Sequence, residues 1–347
     1  MSAGPRDATL NGEGFRFYHW APAEGGEECD LLSVSSIAKL CGESYTLVNW
    51  QIANVIDVAL STMKRTVIGP RGGVREKRLV DEYPGEFARR LAATDGEQPK
   101  IDELRKWVRE QADQPRNIAA ARGSMVHKAI ENNVAWDRIE RPYVEAAFAD
   151  LSSRDRKRAK TGVKDEDVAF VRHAVRQYWD MRASVPFVII SREPQVFNLQ
   201  AGYAGSADGL CWFLPKGFDV KDLPKASQIT LKLIENIGGY LAVGDWKTSG
   251  KLYTDNVLQV TAYGAGEFVA SGGVVDHRLT DILQATTRGV LFHVRPNKWG
   301  VHTFDFNEPT LRAFLGRVAT ARYLATYPTP HALFVESITG QAEEVDE

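Results

Sequence analysis

The run Leu241-Ala242-Val243-Gly244-Asp245-Trp246-Lys247-Thr248-Ser249 begins apolar and ends with a carboxylate and an ammonium two positions apart. Its apolar start predicts a short strand buried on both faces. Side chains alternate along a strand, so Asp245 and Lys247 share one face. Side by side at a strand end, the two have a plain reading as a salt bridge. The functional alternative is that Asp245 binds a hard cation while Lys247 holds or activates a water.

Working outward, two more carboxylates join them. Asp208 stands in Gly202-Tyr203-Ala204-Gly205-Ser206-Ala207-Asp208-Gly209, and Glu193 on the strand before it. Acidic side chains near the ends of consecutive strands make an oxygen-rich site suited to Mg²⁺ or Mn²⁺. The plainer role for Asp208 is to cap a Gly-rich turn. Upstream, Gly123, His127 and Glu131 are spaced four apart and share one stripe of a predicted helix. His127 either offers an imidazole to the metal or pairs with Glu131. Downstream, Gln259 and Tyr263 are four apart on the helix after the Asp-Lys strand.

The remaining chain supplies the frame. Residues 1–30 read as loop or short strand, with an aromatic island Phe15–Trp20. Residues 31–62 read as helical, with Leu47, Trp50, Ile52, Val55, Ile56 and Ala59 at helical spacing. Gly69–Gly73 is a breaker, and 74–114 reads as one or two further helices. Helices are predicted over 117–133, across 141–183 with a basic interruption, over 255–270 and over 308–326. Strands are predicted from Phe187 towards Phe197, over 203–214 and over 241–247, followed by a hairpin around Arg295–Gly300. The alternating run Ile229–Ile234 predicts a hairpin insertion within 215–240. The sum is an α/β (α+β) protein with a mixed sheet of about five strands flanked by helices, and a helical N-terminal region.

The chain has 347 residues, enough for roughly two domains. Hydrophobic residues make up 44% and charged residues 25%, which excludes a disordered, collagen-like or coiled-coil chain. No apolar run reaches the ~18 residues of a membrane span, and no membrane partner is expected. Cys29, Cys41 and Cys211 lie far apart, so neither a disulfide framework nor a thiolate metal site is expected, and a reducing cytoplasm is. The net charge of −2 excludes bulk-charge coating of nucleic acid. Nucleic-acid contact would need local basic patches. Two are present: Lys64, Arg65, Arg71, Arg75, Lys77 and Arg78, and Arg154, Arg156, Lys157, Arg158, Lys160 and Lys164. Each also reads as a solvated charged loop.

In order, Gly123/His127/Glu131, Glu193, Gly205/Asp208, Asp245/Lys247/Thr248 and Gln259/Tyr263 resemble the PD-(D/E)XK nuclease superfamily, in its RecB-like branch. Ser33–Ile37 and Leu47–Trp50 are similar to phage-encoded exonucleases of this kind, and the resemblance spans roughly residues 30–306. It implies a restriction-endonuclease-like core over 115–330, after an N-terminal region 1–114 and before a tail 331–347. It implies Mg²⁺ or Mn²⁺ held by His127, Asp208, Asp245 and the Trp246 carbonyl. Lys247 would be the catalytic lysine, Glu193 and Glu131 supporting or alternative ligands, and Gln259 and Tyr263 braces or DNA-backbone contacts. Two departures stand out. No cysteine follows Cys211, so no iron–sulfur cluster is expected. The Asp208–Asp245 gap is long, and its 215–240 insertion is expected as a rim over DNA. The absence of a Walker A pattern implies no ATP motor.

The function so implied is a metal-dependent DNA exonuclease acting on linear single- or double-stranded ends in recombination, repair or phage DNA processing, within a bacterial or phage-infected cell. A recombination or single-strand-binding protein is a possible partner. The alternatives are a non-catalytic DNA-end-binding module and a structure-specific endonuclease of the same superfamily.

Overall fold

The computed structural model describes residues 6–10, 13–40, 64–68, 74–78, 89–90, 93, 98–151 and 162–326. In chain order the strands and helices begin with β1 (Arg6–Leu10), β2 (Glu13–Trp20), β3 (Cys29–Ser33), α1 (Val34–Leu40), β4 (Lys64–Ile68) and β5 (Val74–Arg78). Three helices follow: α2 (Gln98–Glu131), α3 (Arg141–Ala149) and α4 (Asp165–Ser184). Next come β6 (Phe187–Arg192), β7 (Gln195–Asn198), β8 (Tyr203–Ser206), β9 (Gly209–Phe213), α5 (Leu231–Ile237), β10 (Tyr240–Lys247) and α6 (Thr254–Gly264). The last are β11 (Phe268–Ser271), β12 (Val274–Val275), α7 (His277–Gln284), β13 (Arg288–Arg295), β14 (Lys298–Asp305) and α8 (Glu308–Thr326).

Among the described residues, two mixed sheets organise the fold. One has five strands in the order β14-β13-β10-β9-β6, and the other has seven in the order β1-β2-β3-β8-β7-β11-β12. In the first, only β10 and β13 run parallel. Its two faces bury alternate side chains. Leu210, Trp212, Leu241, Val243 and Leu291 pack against α6, α8 and α1. Cys211, Phe213, Ala242, Trp246, Val290 and Phe292 pack against α2 and α4. Burial on both faces is why β10 reads as a continuous apolar run. Helix α4 follows from its sequence: Asp165, Glu166 and Asp167 fill the first turn, and the Lys164 N–H donates to Asp167 Oδ2 at 2.8 Å. Val168, Val171, Val175 and Tyr178 recur at helical spacing and form its buried stripe.

A single antiparallel ribbon joins the sheets. β6 pairs with β9 in the first sheet, and its continuations β7 and β8 pair in the second. The ribbon creases at Glu193-Pro194 and Ala207-Asp208, where Ala207 N–H donates to Pro194 O at 3.2 Å. Glu193 takes φ +49°, a left-handed conformation that costs a non-glycine residue about 1–2 kcal/mol.

Several expectations are corrected. The 215–240 segment is not a hairpin: it holds turns of 3₁₀ helix at Val220–Asp222 and Ala226–Gln228, then α5. Thr230 Oγ1 accepts from Leu233 N–H, and Gly238 at φ +88° ends the helix, so local capping overrides the alternation. Nor does the segment rim Asp208 and Asp245. It joins the far ends of β9 and β10, where Phe213 pairs with Tyr240. Seven strand residues, roughly 20 Å, separate that end from Lys247. The helical reading of 255–270 stops at Gly264, and Phe268–Ser271 is a strand that pairs with β7. Glu13–Trp20 is a strand, one of the two readings open for residues 1–30, whereas Leu31–Ser33 belongs to a strand rather than a helix, and Val74–Arg78 is a strand paired with β4 rather than part of a helix. The predicted helix over 117–133 is the end of the 34-residue α2, which begins at Gln98. The helical positions Leu47 to Ala59, Gly69–Gly73, Arg71 and the tail 331–347 lie outside the described residues.

Candidate active site

Glu193, Asp208 and Asp245 come together because the ends of three neighbouring strands, β6, β9 and β10, meet at one edge of the five-stranded sheet. β9 begins at Gly209, opposite Gly244, so beyond that pair β10 has no strand neighbour on this side. The Trp246 N–H would be stranded in a buried position. Asp208 Oδ2 accepts from it at 2.6 Å. The cap on a turn foreseen for Asp208 is thus a cap on the neighbouring strand. His127 reaches the same carboxylate from α2, with Nδ1 3.5 Å from Oδ2. His127 pairs with Asp208, not with Glu131, whose side chain is exposed.

Asp245 and Lys247 share a face as expected. Lys247 Nζ lies 2.5 Å from Asp245 Oδ2. That oxygen is buried and receives no well-directed hydrogen bond, so it is charge-paired but has an open acceptor site. Lys247 Nζ also donates to Gln259 Oε1 at 3.3 Å, and Gln259 Nε2 donates to Tyr263 OH at 2.9 Å. Gln259 and Tyr263 therefore brace the lysine from α6. Two glycines make the close packing possible. A Cβ on Gly123 would stand 2.9 Å from Thr248 Oγ1, and one on Gly205 would stand 2.7 Å from the Tyr263 ring.

The charges are finely opposed. Burial pushes the Asp245 carboxyl above its ordinary range, with Asp208 adding to the effect and Lys247 opposing it. Burial acts the same way on Asp208, but His127, the Trp246 N–H and Lys247 outweigh it and hold Asp208 low. Burial pulls His127 down, yet Asp208 and Asp245 leave it net raised. Glu193 is carried from an ordinary 4.5 to about 7, first by burial and then by Asp208 and Glu131. Perturbed groups concentrated at one edge are a mark of functional sites.

Among the described residues, no three His, Cys, Asp or Glu side chains form a closed group around a metal position. The donors come instead as the His127–Asp208 pair and, beside it, Asp245 with its open oxygen. Hard oxygens plus one imidazole, with one buried carboxylate oxygen still open, fit a hard divalent cation. Lys64 and Arg65 lie on β4. Arg154, Arg156, Lys157, Arg158 and Lys160 lie outside the described residues. What sequence reading missed is the crease at Glu193; the signal was the Glu193-Pro194 dipeptide, since proline supplies no ladder donor and bends a strand.

Glu193 gives a testable pH dependence. Its folded-state pKa is raised, so the protonated form contributes stability below about 4.5 that is lost as pH rises through about 7. In EDTA, Glu193→Gln should melt with wild type near pH 4.5 and above it at pH 8. Parallel melting curves at both pH values would remove Glu193 from the buried carboxylate group.

The chain matches no protein-family model, and no curated protein matches it.

Proposed function

We propose that this chain is a Mg²⁺- or Mn²⁺-dependent deoxyribonuclease that hydrolyses phosphodiester bonds at DNA ends. The reading rests on one observation: Asp208, Asp245, Lys247 and His127 converge at one strand edge, with Glu193 at the crease beside them. His127, Asp208 and Asp245 would hold the cation, and Glu193 would complete their charge. When bound, such an ion lowers the pKa of a water and polarises a phosphoryl oxygen.

The chain's own residues account for the rest. Lys247 is anchored by Asp245 on one side and Gln259 on the other. Its ammonium can orient an attacking water and offset the negative charge that grows on phosphorus-bound oxygens. The side chain is only 18% exposed, so this charge acts in a partly dry setting where it counts for more than in bulk water. The water oxygen forms a new bond to phosphorus, the bond to the leaving oxygen breaks, and that oxygen takes up a proton. His127, held on Asp208, is a proton-carrying group at the same edge.

Linear and closed circular DNA, each with Mg²⁺ and each with excess EDTA, test the proposal. The expected result is loss of the linear DNA only, and only with Mg²⁺. Cleavage of closed circles would favour an endonuclease, and cleavage in EDTA would sink the metal-dependent reading.

A further inference from the structure

The site face of the sheet continues past β10 onto a hairpin. Lys247 pairs with His293 of the parallel strand β13. Across β13 and β14, Leu291 faces His302, His293 faces Gly300, and Arg295 faces Lys298. Paired residues point to the same side, and so do residues two apart. Asp245, Lys247, His293, Arg295, Lys298 and His302 therefore share one face. β13 runs parallel to β10, so its tip lies at the same edge as the carboxylates. Arg295 stands one strand over and two residues beyond Lys247, roughly 8 Å in backbone terms.

This hairpin is strongly one-signed. From Arg288 to Asp305 it carries two arginines, one lysine and two histidines against one carboxylate, Asp305. Arg288 is paired with Asp305 at the far end, 2.9 Å away. Among the described residues no carboxylate pairs with Arg295 or Lys298. His293 registers the field: burial lowers its pKa first, and Arg295, His302 and Lys298 lower it further. Its Nε2 donates to Ser249 O at 2.6 Å, which fastens the loop after Lys247 to the hairpin. The tip is thus positioned relative to Lys247 by a strand ladder and a side-chain tether.

We propose that Arg295 and Lys298 at the β13–β14 tip, with His302 beside them, contact the phosphate backbone of the DNA strand whose bond is cut at Lys247. The inference rests on the nuclease reading for its substrate. Uncompensated cations are what such a chain of −2 net charge needs next to its carboxylates, which would otherwise repel phosphates.

The test measures fluorescence anisotropy of a labelled linear duplex with Ca²⁺ across a KCl series. Arg295→Gln/Lys298→Gln should lose about tenfold in affinity, and its log–log salt slope should shrink by nearly two, close to 0.9 per lost phosphate contact. Arg295→Lys keeps the charge and should keep the slope. Lys221→Gln/Lys225→Gln removes the same charge at the far end of the sheet and should bind as wild type does. An unchanged slope in the tip variant overturns the inference, and so does an equal loss in the far-end variant. Wild-type cleavage of the same duplex in Mg²⁺ separates the two readings. Cleavage with an unchanged tip slope leaves the nuclease reading standing. Tip-dependent binding without cleavage supports this contact and overturns the nuclease reading. No wild-type binding overturns both.

Discussion

Lys247→Ala should slow single-turnover DNA cleavage by about 10²- to 10⁴-fold, the usual worth of a positioned acid–base or charge-stabilising group. Mn²⁺ affinity should survive and tighten, because Lys247 ligates nothing and its removal takes a positive charge from beside Asp245. Stability should fall. Asp245 is 3% exposed, and removing the ammonium 2.5 Å away leaves its charge buried and unpaired. Breaking a buried pair in this way costs about 3–5 kcal/mol. A cation at the carboxylates supplies the missing charge, so Mn²⁺ should raise the melting temperature of Lys247→Ala by more than that of wild type. Lys247→Arg should fold but cleave poorly, since a planar fork cannot occupy the place of a compact ammonium between Asp245 and Gln259. A purely structural salt bridge makes the opposite forecast: near-normal turnover in the folded fraction and full rescue by arginine. A folded, fully active Lys247→Arg protein would settle the matter against catalysis.

Asp208→Ala should fail in two separable ways. It removes a carboxylate from the metal group, and it uncaps the Trp246 N–H. A buried donor left without a partner costs about 1–3 kcal/mol. Asp208→Asn keeps an acceptor oxygen for that N–H and should recover most of the stability while still failing to bind Mn²⁺. Asp245→Ala strands no backbone group, so it should lose Mn²⁺ binding without that penalty. Calorimetric Mn²⁺ titrations and melting curves for the three variants read the two effects apart. Unaltered Mn²⁺ affinity in Asp245→Ala would show that Asp245 is not a ligand.

The parts of the site legible in sequence are those set by a short period. Alternation along β10 put Asp245 and Lys247 on one face, and the four-residue spacing of α6 put Gln259 beside Tyr263. β9 and β10 were legible for a different reason, because strands buried on both faces are apolar runs. What escaped depends on long-range pairing. The His127–Glu131 spacing suggested a local pair, whereas the imidazole faces Asp208 across the fold, 3.5 Å away. The alternation of Ile229–Ile234 suggested strands, but the Thr230 cap and Gly238 decide locally for a helix. What hides the second sheet is the join between β3 and β8: β1, β2 and β3 pair with one another locally and reach the rest of the sheet only far along the chain.

That last pairing bears on how the protein is made. β3 lies beside β8 through Leu32–Tyr203 and Ser33–Ala204, so the second sheet cannot close until residue 203 has been synthesised. At about 5–20 residues per second, that is a wait of roughly ten to thirty seconds on the ribosome. Through that interval the edge of β3 has no partner, and unpaired edges attract other chains. Nascent chains should therefore be most exposed to chaperones, and to one another, between the emergence of β3 and that of β8.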